Sequence, residues 1–115
     1  MNQKSYPTLT EAISKQVGQL RKDLPDTMKG FSALAQSASA SGAMDEKTKE
    51  LVAMGISIAL RCDGCIGFHT KNLVSLGATK QEFEETLGVA IYMGGGPALM
   101  YAAQAMDAWE QFSQP

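Results

Sequence analysis

The stretch from Leu51 to Leu60 reads LVAMGISIAL, an apolar run interrupted only by Gly55 and Ser57. A helix that is apolar on most of its faces is stable only when other elements surround it. The run is about half of the ~20 residues needed to cross a bilayer. It therefore predicts the central helix of a soluble bundle, and the rest of the chain must supply the helices that cover it.

The flanking segments have that form. After Pro7, Thr8 and Glu11 have capping-box spacing, and Leu9, Ile13, Val17, Leu20 and Leu24 then recur at intervals of three or four. Pro25 suits the first turn of a second helix with Met28, Phe31, Leu34 and Ala35 on its buried face. Gly42 offers a left-handed stop, and Asp45 with Glu46 opens a third helix that contains the apolar run. A fourth helix carries Cys62, Cys65, His69, Leu73 and Val74 and closes at Gly77. Thr79 and Glu82 form a second capping box ahead of Phe83, Leu87, Ala90 and Ile91. Gly94-Gly95-Gly96-Pro97 then breaks the pattern before a sixth helix with Leu99, Ala102, Ala103, Met106, Trp109 and Phe112 inward. No alternating strand pattern of useful length occurs. The expectation is an all-α fold of about six helices, with residues 1–115 forming one domain.

Composition narrows the class of partner. The chain is 44% hydrophobic before its eleven glycines are counted, a slight excess that points to a buried subunit interface. Its net charge is −2, without a basic tract, so neither nucleic acid nor an anionic membrane has an electrostatic footprint. The N-terminal residues hold no apolar core of a secretory signal, and the expected location is the cytoplasm. In that reducing compartment a cysteine pair serves chemistry or metal binding more readily than stapling.

All the sulfur chemistry lies just beyond the apolar run. Cys62 and Cys65 are the two cysteines, and His69 is the single histidine. With about 100° per helical residue, the three fall near 0°, 300° and 340°, on one face. The two sulfurs are within disulfide reach if the first turn distorts, which Gly64 and Gly67 would ease. If the third and fourth helices form an antiparallel hairpin, Glu50 and His69 meet, because their midpoint falls between Ala59 and Leu60. A carboxylate beside an imidazole favours the imidazolium or fixes its tautomer. That imidazole, one turn from Cys65, can take the thiol's proton and return it to a leaving group. A thiolate attacking a peroxide gives a sulfenic acid, which a neighbouring thiol converts to a disulfide. Such chemistry requires no bound cofactor and no metal.

Glu50-x11-Cys62-x2-Cys65-x3-His69 resembles the pattern of the alkylhydroperoxidase D-like members of the carboxymuconolactone decarboxylase superfamily. Gly42, Asp45, Lys49-Glu50-Leu51, Gly77-Ala78, Glu84-Glu85 and the Gly94–Pro97 break extend the resemblance over about residues 25 to 110. The resemblance implies that Cys65 is the peroxidatic cysteine and Cys62 the resolving one, with Glu50 and His69 as proton relay. It also implies an alkylhydroperoxidase D-like helical bundle assembled into a homotrimer or hexamer. The substrate would be a peroxide and the reductant a dithiol, such as a lipoyl protein or a thioredoxin-like protein. One departure stands out: alkylhydroperoxidase D carries another histidine between its cysteines, where this chain has Gly64.

Other readings compete. A closed zinc site takes four Cys or His ligands, and the chain offers three unless Glu50 or another subunit completes the set. His69 alone would suit a structural cap, and Glu50 alone a surface acid beside Lys47 and Lys49. Gly94 to Gly96 suit a turn better than an anion cradle, since no phosphate-binding lysine accompanies them. Met93, Met100 and Met106 read as packing, while Tyr92 and Phe68 are candidates for a substrate pocket. At the level of function, the alternatives are dithiol–disulfide exchange with little peroxidase activity, a lactone decarboxylase, and a redox-switched interaction module. The cysteine pair argues against the decarboxylase, whose members lack it.

Overall fold

A computed structural model describes residues 4–115, and within them the chain forms six α-helices and no strand. They are α1 (Tyr6–Asp23), α2 (Pro25–Ser39), α3 (Glu46–Ala59), α4 (Asp63–Ser75), α5 (Lys80–Gly94) and α6 (Gly96–Ser113). Helix α3 packs against both α4 and α5, which in turn both pack on α6. The apolar run is covered on one side only: Met54, Ser57 and Ile58 are buried, whereas Val52, Ile56 and Leu60 are exposed, because no helix of the chain packs on that side of α3. Met54 and Ile58 from α3 meet Ile66 and Leu73 from α4 and Phe83 from α5 in one buried cluster. Phe83 stacks at a tilt on Trp109, with ring centroids 4.8 Å apart.

The helix boundaries follow local chemistry. Asp45 caps α3 by accepting the Thr48 N–H at 2.7 Å. Thr79 and Glu82 form the expected reciprocal capping box of α5. Pro25 and Pro97 both stand in the first turn of their helices. Helix α4 ends in a Schellman motif: Gly77 takes φ 79°, its N–H bonds the Val74 carbonyl, and the Ala78 N–H bonds that of Leu73. The same motif ends α3, but there the left-handed residue is Arg61, with φ 56°. Its N–H reaches the Ile58 carbonyl and the Cys62 N–H that of Ser57.

Several expectations need correction. The cap of α1 is Ser5, whose hydroxyl accepts the Thr8 N–H, so Thr8 lies inside the helix and forms no capping box with Glu11. Helix α2 ends at Ser39 with Ala40 extended, and Gly42 is not left-handed. Tyr6 and Thr10 are the buried residues of α1, while Leu20 and Leu24 are exposed, because only the early turns of α1 rest on the bundle. Helix α2 touches only α1 and α3, and buries no residue. Its expected inner face is outward, with Phe31 and Leu34 each 64% exposed.

Helix α6 keeps most of its expected inner face, since Ala102 and Trp109 are buried and Met106 and Phe112 pack against the core, but its edge is shifted. Ala98, Ala102, Ala105, Ala108 and Trp109 point inward, whereas Leu99 and Ala103 face out. A Cβ placed on Gly94 would stand 2.7 Å from that of Ala98. The chain turns so tightly from α5 into α6 through Gly95 that only small residues fit at these two positions.

Candidate active site

Helix α4 begins at the cysteines. Cys62 is extended (φ −103°, ψ 100°) and is the residue that caps the helix, its sulfur accepting the Cys65 N–H at 3.2 Å. The helical angle assigned to Cys62 therefore does not apply, because it stands just outside the first turn. The two cysteines still meet, joined by a disulfide with Cα atoms 5.2 Å apart. Both are half-buried. The Cys62 sulfur thus stands at the positive end of the α4 dipole.

One turn beyond Cys65, His69 hydrogen-bonds through Nδ1 to Glu50 Oε1 across the α3–α4 hairpin. Glu50 is buried, at 8% exposure, although it belongs to a helix with solvent on part of its surface. It is not the surface acid that its lysine neighbours suggested: Lys47 pairs with Glu82, and Lys49 donates to the Ala40 carbonyl. An ionised carboxylate can only accept, so this contact calls for a proton on Nδ1; in the neutral ring that would leave Nε2 as the acceptor.

The Glu50 oxygen has a second donor that spacing did not single out. Asn72 Nδ2 lies 3.3 Å from the same Oε1. Asn72 stands three residues after His69 on α4, the helical interval that places both over one spot on α3. Glu50, Asn72, Glu46, Ser39, Ser75 and Leu76 surround a polar cavity of about 290 Å³. A larger apolar groove of about 700 Å³ runs between α3 and α5, with Val52, Ile56, Val89 and Met93 along it and Arg61 at one end. Tyr92 and Phe68, considered as pocket residues, line neither.

Gly64 and Gly67 have a role other than easing a distorted turn. Helix α1 lies over them. A Cβ on Gly64 would stand 2.9 Å from Ile13 Cδ1, and one on Gly67 would stand 2.7 Å from Thr10 Cγ2. Between the cysteines, Asp63 pairs with Lys4 at 2.5 Å through Oδ2. Gln111 of α6 holds the same N-terminal segment by accepting the Tyr6 N–H and donating to the Lys4 carbonyl, each at 2.8 Å. Tyr6 is fully buried under this segment. Burial pushes its phenol up to about 12, with the Asp63 and Asp107 carboxylates and Tyr101 adding to the shift. Among the described residues, no group of three or more His, Cys, Asp or Glu side chains is arranged to hold a metal. None of the helices is long and apolar enough to cross a membrane.

Comparison with known proteins adds to this geometry. A carboxymuconolactone decarboxylase family protein of Legionella pneumophila has a crystal structure that superposes with a TM-score of 0.94. It shares 54% identity, over 95% of this chain and 97% of that one. A Thermotoga maritima member of the family, described with a possible part in antioxidative response, superposes with a TM-score of 0.79. Its identity is 30%, over 94% of this chain and 89% of that one. An uncharacterised protein of Cupriavidus necator is 37% identical over 98 residues, 85% of this chain and 86% of its own length. The family model for carboxymuconolactone decarboxylases matches residues 25–108, and the chain belongs to that family.

Proposed function

We propose that this protein is a thiol-dependent peroxide reductase in which Cys65 attacks the peroxide and Cys62 resolves the product. One observation carries the reading: a Cys62–Cys65 disulfide lies one helical turn before an imidazole held by a buried carboxylate. The Thermotoga relative's description, with its antioxidative response, supports the same direction.

The two sulfurs are activated by different means. Cys65 gives its proton to His69 Nε2, and its thiolate attacks the terminal oxygen of the peroxide. The O–O bond breaks, Cys65 becomes a sulfenic acid, and the leaving alkoxide takes the proton back from His69. Cys62, favoured as a thiolate at the start of α4, then attacks the Cys65 sulfur. Water leaves and the disulfide forms. The sum is one peroxide and two thiols converted to one alcohol (water, for hydrogen peroxide), one water and one disulfide. A dithiol reductant, such as a lipoyl group or a thioredoxin-like protein, returns two electrons and two protons by exchange. Such turnover suits a reducing compartment such as the cytoplasm.

The exposed apolar side chains of α2 and α5, Phe31, Leu34, Val89 and Met93 among them, support assembly into a homo-oligomer. Light scattering on the purified protein tests this, and a trimer or hexamer is the expected result.

Thiol counting by mass spectrometry, before and after one equivalent of peroxide, tests the activity. The reduced protein should lose two thiols and gain one intramolecular disulfide. Cys65→Ser should abolish peroxide consumption, and Cys62→Ser should accumulate a sulfenic acid at Cys65. His69→Gln should slow oxidation by about 100-fold, the scale of a lost general acid–base. If Cys65→Ser consumes peroxide at the parent rate, the reading is wrong.

A second reading is disulfide exchange with little peroxide turnover. It is favoured by Gly64, which lies under Ile13 where a relative of the peroxidase type would carry another imidazole. Faster reaction with a model disulfide than with any peroxide would establish it.

A further inference from the structure

The Glu50 carboxylate, which holds His69, also borders an opening. Glu50 lines the polar cavity of about 290 Å³, and Glu46, one turn earlier on α3, lines it too. Once Glu50 turned toward that space, water would satisfy it and His69 would lose its acceptor. Neither neighbouring lysine restrains it, since Lys47 and Lys49 are engaged elsewhere. Besides His69, the side chain whose N–H reaches Glu50 is Asn72, through the oxygen that His69 uses.

Asn72 is itself exposed at the cavity rim. We propose that Asn72 is the positioning residue of the pair: its amide holds the Glu50 carboxylate against His69 Nδ1. That fixes the Nδ1–H tautomer and leaves Nε2 as the proton-accepting nitrogen. The inference takes Glu50–His69 as the relay of the proposed peroxide reductase, but it concerns the state of the imidazole and can be read without turnover.

Two effects of the amide oppose each other. A donor to Oε1 stabilises the carboxylate and weakens its pull on the imidazole N–H. A donor that fixes orientation keeps the two groups in contact. If positioning dominates, removing the amide must lower the Nδ1–H population. If competition dominates, removal must raise it.

The chain has a single histidine, so nitrogen NMR of protein labelled at histidine reports His69 alone. The samples are the full chain, Glu50→Gln, Asn72→Leu and Asn72→Gln, all at a pH where the ring is neutral. The parent should show mainly the Nδ1–H form, and Glu50→Gln, whose neutral amide oxygen is a weaker acceptor, should show less of it. Asn72→Leu, which is nearly isosteric but has no donor, should shift the tautomer ratio toward Nε2–H by about two- to tenfold, the range for one lost hydrogen bond. Asn72→Gln, which keeps an amide, should recover part of that shift. Leucine favours helix more than asparagine does, so the variant should stay folded, as its far-ultraviolet dichroism will record.

An unchanged or increased Nδ1–H population in Asn72→Leu overturns the proposal. So does a parent ring already in the Nε2–H form, since there would be nothing to position. Peroxide consumption by the same samples is a separate readout. If the parent consumes none while the tautomer shifts as stated, the peroxidase reading fails and the role of Asn72 stands.

Discussion

The sulfur of Cys62 accepts the backbone N–H of Cys65, so one residue is at once half of the disulfide and the cap of α4. Capping by sulfur is a role that an oxygen can take over. In the reduced proteins, Cys62→Ser should unfold at a denaturant concentration close to that of the parent. Cys62→Ala should be less stable than Cys62→Ser by about 1 kcal/mol, the usual worth of an N-cap. Urea titrations in the presence of a reductant check both.

Arg61 holds a left-handed conformation at the end of α3 where Gly77 does the same at the end of α4. A side chain at positive φ is strained, and glycine is not. Arg61→Gly should therefore stabilise the fold by about 1 kcal/mol, whereas Gly77→Ala should destabilise it by a similar amount. Paired thermal melts decide the sign.

Gly64 and Gly67 both lie under α1 but should differ in tolerance. The atom nearest a Cβ at Gly64 is the flexible end of Ile13. At Gly67 it is the branched methyl of buried Thr10, with Tyr6 Cδ1 also at 3.4 Å. Gly67→Ala should cost about 1–3 kcal/mol, the range for overpacking, and Gly64→Ala clearly less. Equilibrium unfolding of the two variants ranks them.

Tyr6 links stability to alkaline pH. Its folded value of about 12 stands above the ordinary 10, so the folded chain holds the phenolic proton more tightly than the unfolded one does. That stabilisation is fully present below pH 10 and is lost as pH rises toward 12. The parent should lose stability across this window, and Tyr6→Phe should lose markedly less. Unfolding monitored at several pH values, with phenolate absorbance recorded alongside, tests the slope.

Much of this was legible in the sequence because local signals sufficed. Asp45, Thr79, Glu82 and Gly77 mark helix ends through chemistry confined to one turn. The Glu50–His69 contact was legible for a similar reason, since a hairpin with a short turn pairs residues equidistant from it. Arg61 was not, because nothing in an arginine announces a left-handed residue.

By itself, the sequence determined that the chain is helical, that Cys62 and Cys65 can join, and that Glu50 and His69 meet across the α3–α4 hairpin. Tertiary structure alone decided which sides of α1, α2 and α6 face inward. They go with the close approach of α1 to α4 at Gly67 and with where α1 leaves the bundle. It also decided that Asn72 shares the Glu50 oxygen with His69. A periodic pattern fixes which residues share a face. The packing of one helix on another fixes which face is buried, and which polar side chain at its edge meets a partner.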